Sequence, residues 1–220
     1  MKRKLSLLLA FSLLMVLCAC SQQAANAPKE QLDGYLTYES TSPNIKLQYP
    51  PTWLAVHSEG ENDSEALKSI YEKSGISEDT IEQSLSLYDF VLFDSELALQ
   101  DCASNLNLIS VEMPGFQASS LKGKEVLDSM KEQTAFARAL DGEDFAFVSE
   151  PENKTIAGNL YVIYQFNYTK SDIPLSIYQA ITAFDETIYT FTYTTRQGSL
   201  DDAKLTEINN VLSSIQFTNA

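Results

Sequence analysis

The sequence predicts an α+β domain in which a single antiparallel sheet is covered by helices. Three observations carry this. Leu160–Tyr168, Leu175–Phe184 and Ile188–Thr195 are consecutive strand-like segments joined by short loops. Segments of helical period, 63–74 and 122–140, lie among the earlier strand signals. A final stripe of Leu205, Ile208, Val211, Leu212 and Ile215 closes the chain as a helix whose apolar face needs a sheet to cover.

The chain opens with Met1-Lys2-Arg3-Lys4, followed by an apolar run from Leu5 to Leu17 broken only by Ser6 and Ser12. A run of about 13 residues is short for a bilayer-spanning helix, which needs roughly 20. It fits the apolar region of a secretory leader. Leu17, Ala19 and Cys20 resemble the lipobox of bacterial lipoproteins: a branched aliphatic, a middle residue, a small residue, then the modified cysteine. Cys18 is an unusual middle residue, and it is a poor acceptor itself because Leu17 would occupy the small-residue position. The resemblance implies cleavage after Ala19, diacylglyceryl transfer to the Cys20 thiol, and stable anchoring by two acyl chains. An ordinary leader cut near Ala19 is the simpler alternative. A Cys-x-Cys metal pair lacks further ligands nearby. Residues 1–19 are thus expected to be a leader, and 20–31 the lipidated cysteine and a small, polar tether spanning roughly 15–20 Å as a flexible coil. Residues 32–220 are expected to form one domain.

Within that domain, Tyr35–Glu39 and Ile45–Tyr49 alternate with period two. Pro50-Pro51 interrupts the second segment, and Trp53–Val56 resumes it. The helix over 63–74 places Leu67, Ile70 and Tyr71 on one face, with Gly75 as its stop. A shorter helix opens at Ser77 and carries Ile81, Leu85 and Tyr88. Phe90–Phe93 and Leu106–Met113 read as strands. In the second, alternation slips from Leu106 and Leu108 to Ile109, Val111 and Met113, as a bulge would cause. Lys122–Leu140 is helical and Phe145–Ser149 a short strand. Asp185-Glu186-Thr187 is a hairpin-length loop. Both faces of the three late strands are apolar, so both are expected to be covered. Ser199-Leu200-Asp201-Asp202 resembles a capping box for the last helix.

The formal charge is −15, from 15 basic and 30 acidic residues, and removal of Lys2, Arg3 and Lys4 with a leader makes it more negative. That opposes nucleic-acid binding, which demands basic patches. It also opposes lying flat on anionic lipid. The acidic residues are scattered, as on a solvated surface. Hydrophobic content of 44% and aromatic content of 10% are those of a packed domain. With Cys18 lost and Cys20 lipidated, Cys102 has no disulfide partner. Its neighbour Asp101 raises the thiol pKa, so it reads as a packed structural cysteine.

Candidate chemistry is sparse. His57 is the single histidine and no Gly-x-Ser-x-Gly elbow accompanies it. Ser119-Ser120-Leu121-Lys122 contains a Ser-x-x-Lys, but without a Lys-Thr-Gly strand or a chain long enough for the penicillin-binding fold. Two acidic groups, 59–65 and 141–144, carry oxygen ligands of the calcium type at spacings that are not those of an EF-hand loop. No Gly-rich phosphate loop is present. Tyr161, Tyr178, Tyr189 and Tyr193 crowd the late strands; facing outward, they would form a surface for stacking on a sugar or peptide.

The strand Ile45–Trp53 with its Tyr49-Pro50-x-x-Trp53 element, the strand Ile188–Thr195, and the closing helix ending Ser213-Ser214-Ile215-Gln216-Phe217 together resemble the PsbP-like α/β/α sandwich. The resemblance covers nearly the whole mature domain. It implies no shared catalytic set and a tendency to act through protein surfaces. Trp53 and Tyr49 are expected in the sheet–helix core. The expected function is that of a lipid-anchored, extracytoplasmic protein-binding or adaptor module of the cell envelope. It is not an enzyme, has no cofactor or metal, and is held to the membrane through Cys20 with an envelope protein as partner. The alternative is a lipoprotein that binds a small ligand: a glycan, a peptide or calcium.

Overall fold

The structure is a computed structural model that describes residues 29–57, 64–75, 77, 83, 85, 87–99, 102–141 and 143–218. The expected leader, Cys20 and most of the expected tether fall outside the described residues. So do the acidic stretch 58–63 and most of the helix expected from Ser77.

The strands are β1 (Leu36–Thr41), β2 (Asn44–Tyr49), β3 (Trp53–His57), β4 (Phe90–Leu99), β5 (Cys102–Glu112), β6 (Glu143–Ile156), β7 (Asn159–Lys170), β8 (Ile173–Phe184), β9 (Thr187–Arg196) and β10 (Gln216–Phe217). The helices are α1 (Ser64–Ser74), α2 (Lys124–Asp141) and α3 (Asp202–Ser214), and a 3-10 turn spans Ala118–Lys122.

Antiparallel strands dominate, as expected, but they form two sheets rather than one. Seven strands run in the order β3-β4-β5-β9-β8-β7-β6, and β1-β2-β10 form a separate sheet of three. The cause is the Pro50-Pro51 interruption. Proline has no N–H for a ladder. The chain turns there, with Trp53 N–H donating to Pro50 O at 3.0 Å, and β3 then pairs with β4 instead of extending β2. The third strand of the small sheet is only Gln216–Phe217, too short to announce itself by alternation.

Both faces of the large sheet carry covering elements. On one, Leu106, Leu108, Tyr161, Tyr178, Phe191 and Tyr193 meet Ile208, Val211 and Leu212 of α3 and Ile45 and Leu47 of the small sheet. On the other, Val162, Tyr164, Phe166 and Ile177 meet Leu121 of the 3-10 turn and Leu127 and Met130 of α2. Further along that face Val56, Val91 and Phe93 receive Leu67 and Ile70 of α1. Each large side chain so buried contributes about 1.5–3 kcal/mol. Cys102 lies in the second cluster, 4% exposed, and burial raises its thiol pKa.

Local chemistry explains the boundaries. Gly75, at φ +68°, ends α1. Asp201 caps α3, its Oδ1 accepting from Lys204 N–H at 2.9 Å. The expected helix over 122–140 divides: Gly123 is extended between the 3-10 turn and α2. The slip in β5 is not a bulge. Asn105–Glu112 runs opposite Thr194–Thr187 without a break, and Ile109, Val111 and Met113 belong to the face opposite Leu106 and Leu108. The break lies in β4, between Phe93 and Ala98.

The strands β6 to β9 form a meander through two-residue turns. Both turn residues have positive φ in each: Ala157 and Gly158, Ser171 and Asp172, Asp185 and Glu186. Such turns match the twist of the strands but favour glycine and asparagine. Asp172, exposed at φ +66°, is a site where backbone preference alone can be read. Asp172→Gly is expected to stabilise the domain by about 0.5 kcal/mol, and Asp172→Val to destabilise it by about 1 kcal/mol or more. Urea denaturation of the two variants beside the parent checks that order.

Candidate functional site

The four tyrosines predicted as a binding surface are buried, and of them Tyr189 borders an open cleft. Tyr161 and Tyr193 are fully enclosed, and Tyr178 and Tyr189 are 3% and 5% exposed. All four point to the face covered by α3 and the small sheet, so alternation placed them together but on the inner side. Their hydroxyls find partners inside. Tyr178 donates to Asn209 Oδ1 at 3.2 Å, Tyr161 to Leu212 O at 3.4 Å, and Tyr193 to Asp94 Oδ2 at 3.0 Å. Burial pushes the pKa of Tyr161, Tyr178 and Tyr193 well above the ordinary tyrosine value, with the Asp94 charge adding to it at Tyr193.

Tyr193 leads to the most polar cluster in the described core. Asp94 has no solvent exposure. Lys204 Nζ lies 2.5 Å from its Oδ2 and 2.6 Å from Glu207 Oε2. Asp94 Oδ1 accepts from Glu96 and Leu97 N–H at 3.2 and 3.3 Å. The Lys204 ammonium also sits 5.5 Å from the centre of the Trp53 ring, which stacks on Tyr193 at 5.8 Å. Burial opposes the Lys204 charge, but its bonds to Asp94 and Glu207 outweigh that and hold its pKa above the ordinary lysine value. Both carboxylate oxygens and the ammonium are committed to internal partners, so this cluster ties α3 to the sheet.

Other singled-out residues are dispersed. His57 ends β3, opposite Phe90, with its side chain outside the described residues. Ser119 and Lys122 are exposed on the 3-10 turn. Trp53 is 3% exposed, and Tyr49 packs on the same core, as expected.

Two open concavities lie at one end of the sheet, around the β8–β9 turn. One cleft of about 350 Å³ lies between that turn, the end of β5 and the β1–β2 turn, lined by Ser42, Asn44, Ser110, Glu112, Asp185 and Glu186 among others. A second of about 350 Å³ lies on the far side of Phe184 and Asp185, lined by Ser119, Lys122, Thr155 and Asn159. The β8–β9 turn is braced between them. Met113 N–H donates to Glu186 O at 2.6 Å, and Gly115 N–H to Glu186 Oε1 at 2.9 Å. Beside the first cleft, on the opposite face of β5, Ile109, Val111 and Met113 are 40%, 56% and 47% exposed. Sequence reasoning missed this end. Its signal was the phase change after Leu108, which marks where β5 leaves one covered face and shows apolar side chains on the other.

The N-terminal segment enters at this end. Lys29 Nζ donates to Ala157 O at 2.8 Å. Gln48, 5% exposed, accepts from Leu32 N–H at 2.6 Å and donates to Glu30 O at 3.0 Å.

No protein-family model matches the sequence, and no curated protein matches it. Solved structures do match in shape. CyanoP, the cyanobacterial PsbP of Synechocystis sp. PCC 6803, superposes with a TM-score of 0.53 at 17% identity, covering 86% of this chain and 95% of that one. LpqN, involved in cell envelope biogenesis of Mycobacterium tuberculosis, superposes with a TM-score of 0.52 at 11% identity, covering 84% and 91%. This chain has a PsbP-like fold. At these identities the likeness is one of architecture, and it extends over nearly all of both relatives.

Lys204→Met leaves the buried Asp94 side chain without its ammonium partner and is expected to cost about 3 kcal/mol; adding Asp94→Leu recovers most of that. Emission of Trp53, the single tryptophan, reports unfolding in urea. Alkali acts in a defined direction. The buried tyrosines ionise near pH 10 only when unfolded, so the folded state binds more protons above that pH and stability falls as pH rises. Lys204, with a raised folded pKa, loses its stabilising charge still higher on the same scale. Tyrosinate absorbance is expected to appear together with loss of Trp53 burial, in one cooperative step.

Proposed function

We propose that this chain is an extracytoplasmic lipoprotein, anchored through diacylglyceryl on Cys20, that serves as a non-enzymatic protein-binding module of the cell envelope. The observation that carries the binding role is the exposed stripe of Ile109, Val111 and Met113. These residues follow one another on one face of the β5 end. A contiguous apolar surface at such a place marks an interaction site. The basic and apolar leader with Cys20 supports the anchor. LpqN, of the same fold, is involved in cell envelope biogenesis, which agrees with the compartment. The contacts of Lys29 and Gln48 give the anchor a direction. Residues 21–28 extend at most about 30 Å, so this end of the sheet would stand near the membrane and face a partner held there.

The two clefts favour a second reading, a small-ligand lipoprotein, because their size is at the lower end for ligand sites.

Crosslinking in intact native cells, followed by purification through a C-terminal tag, separates the two. The protein-binding reading expects one specific envelope protein in stoichiometric yield, lost on Val111→Asp. Reproducible absence of a partner overturns it and directs calorimetry to the clefts. Cys20→Ala is expected to release the chain from the membrane fraction. A variant that stays membrane-bound would show that Cys20 is not the anchor.

A further inference from the structure

β5 is longer than its neighbour on one side. β9 accompanies it from Asn105 to Glu112, whereas β4 begins at Phe90, opposite Leu108. Asp89 N–H donates to Leu108 O at 2.9 Å, and the Asp89 carboxylate accepts from Ser110 N–H at 2.6 Å. These bonds fix the phase of the edge: even-numbered residues of β5 aim their backbone groups away from β9. The Ser110 carbonyl and the Glu112 N–H and carbonyl therefore lie on an edge with no strand opposite among the described residues. That edge borders the first cleft, which Ser110 and Glu112 line. From those two residues the cleft runs over β9 to the β8–β9 turn, away from the open edge, so of its carboxylates only that of Glu112 stands at the edge, beside the Asp89 carboxylate.

We propose that this edge binds an extended, positively charged peptide segment, added antiparallel to β5 as a further strand. Free backbone groups supply register and affinity, as in other strand-addition sites. The carboxylates of Asp89 and Glu112, beside the edge, select the charge. A second copy of this chain is a poor occupant, because the formal charge of −15 repels it. The proposal rests on the protein-binding reading and names the chemistry of the partner segment.

Calorimetry of the leaderless protein tests it with a short acetylated peptide of alternating lysine and valine, the same peptide N-methylated on the residues that face β5, and its glutamate–valine counterpart. The expected result is one-to-one binding of the first alone, weakening with salt and falling about tenfold or more in Glu112→Lys. Amide exchange at Glu112 is expected to slow on binding. No binding of the lysine peptide, equal binding of its N-methylated form, or unchanged affinity in Glu112→Lys overturns the proposal. In cells, an envelope protein still captured at full yield by Glu112→Lys overturns the edge site and leaves the protein-binding reading standing. Loss of capture in that variant, with Trp53 emission unchanged, supports both.

Discussion

Three long strands that are apolar on both faces cannot rest on one layer. The segments of β7, β8 and β9 carry tyrosine, phenylalanine and isoleucine on either side, so two separate coverings must be found for them. Everything else in the architecture answers that requirement. α3 and the small sheet close one face, and α1, the 3-10 turn and α2 close the other. The small sheet exists because α3 alone is too narrow to roof the first face. Ile45 and Leu47 fill what Ile208, Val211 and Leu212 leave, and Phe217 stacks on Phe184 at 5.2 Å to finish the edge.

The buried Asp94–Lys204 pair belongs to the same problem. A helix laid over an apolar sheet face can slide, because apolar contacts are not directional. A carboxylate held by Tyr193 and two backbone N–H groups accepts an ammonium at one position only. Lys204 sits in the first turn of α3, so the pair fixes the helix at the end where it joins the chain from β9. Exposed pairs such as Lys124–Asp128 lack this role, since water competes for both partners.

Much of this was legible in the residues. Period two in 160–195 marks the meander, and the spacing of Leu205 to Ile215 marks α3. Trp53 sits in the core that the Tyr49-Pro50-x-x-Trp53 pattern implies. Alternation says which residues share a face, not which face is inside. It grouped Tyr161, Tyr178 and Tyr193 correctly and could not tell that α3 covers them. The break at Pro50-Pro51 was visible, but whether the chain resumes the same sheet or enters another depends on partners more than thirty residues away in β4. The β8–β9 hairpin was placed by its loop length, but the positive φ of Asp185 and Glu186 had no glycine to announce it.

The overhang of β5 follows from the same mismatch of lengths. Long β9 supports β5 as far as Glu112, while β4 starts only opposite Leu108. An open edge of this kind invites aggregation, and proteins guard such edges with charge and irregularity. Here the guards are the Asp89 carboxylate on Ser110 N–H, the Glu112 side chain, and Pro114 just beyond the strand. Guards made of negative charge are selective. They repel every copy of this acidic chain and every acidic partner, while a cationic strand meets attraction where others meet a barrier. The features that keep the protein from pairing with itself are therefore the features that would define its partner.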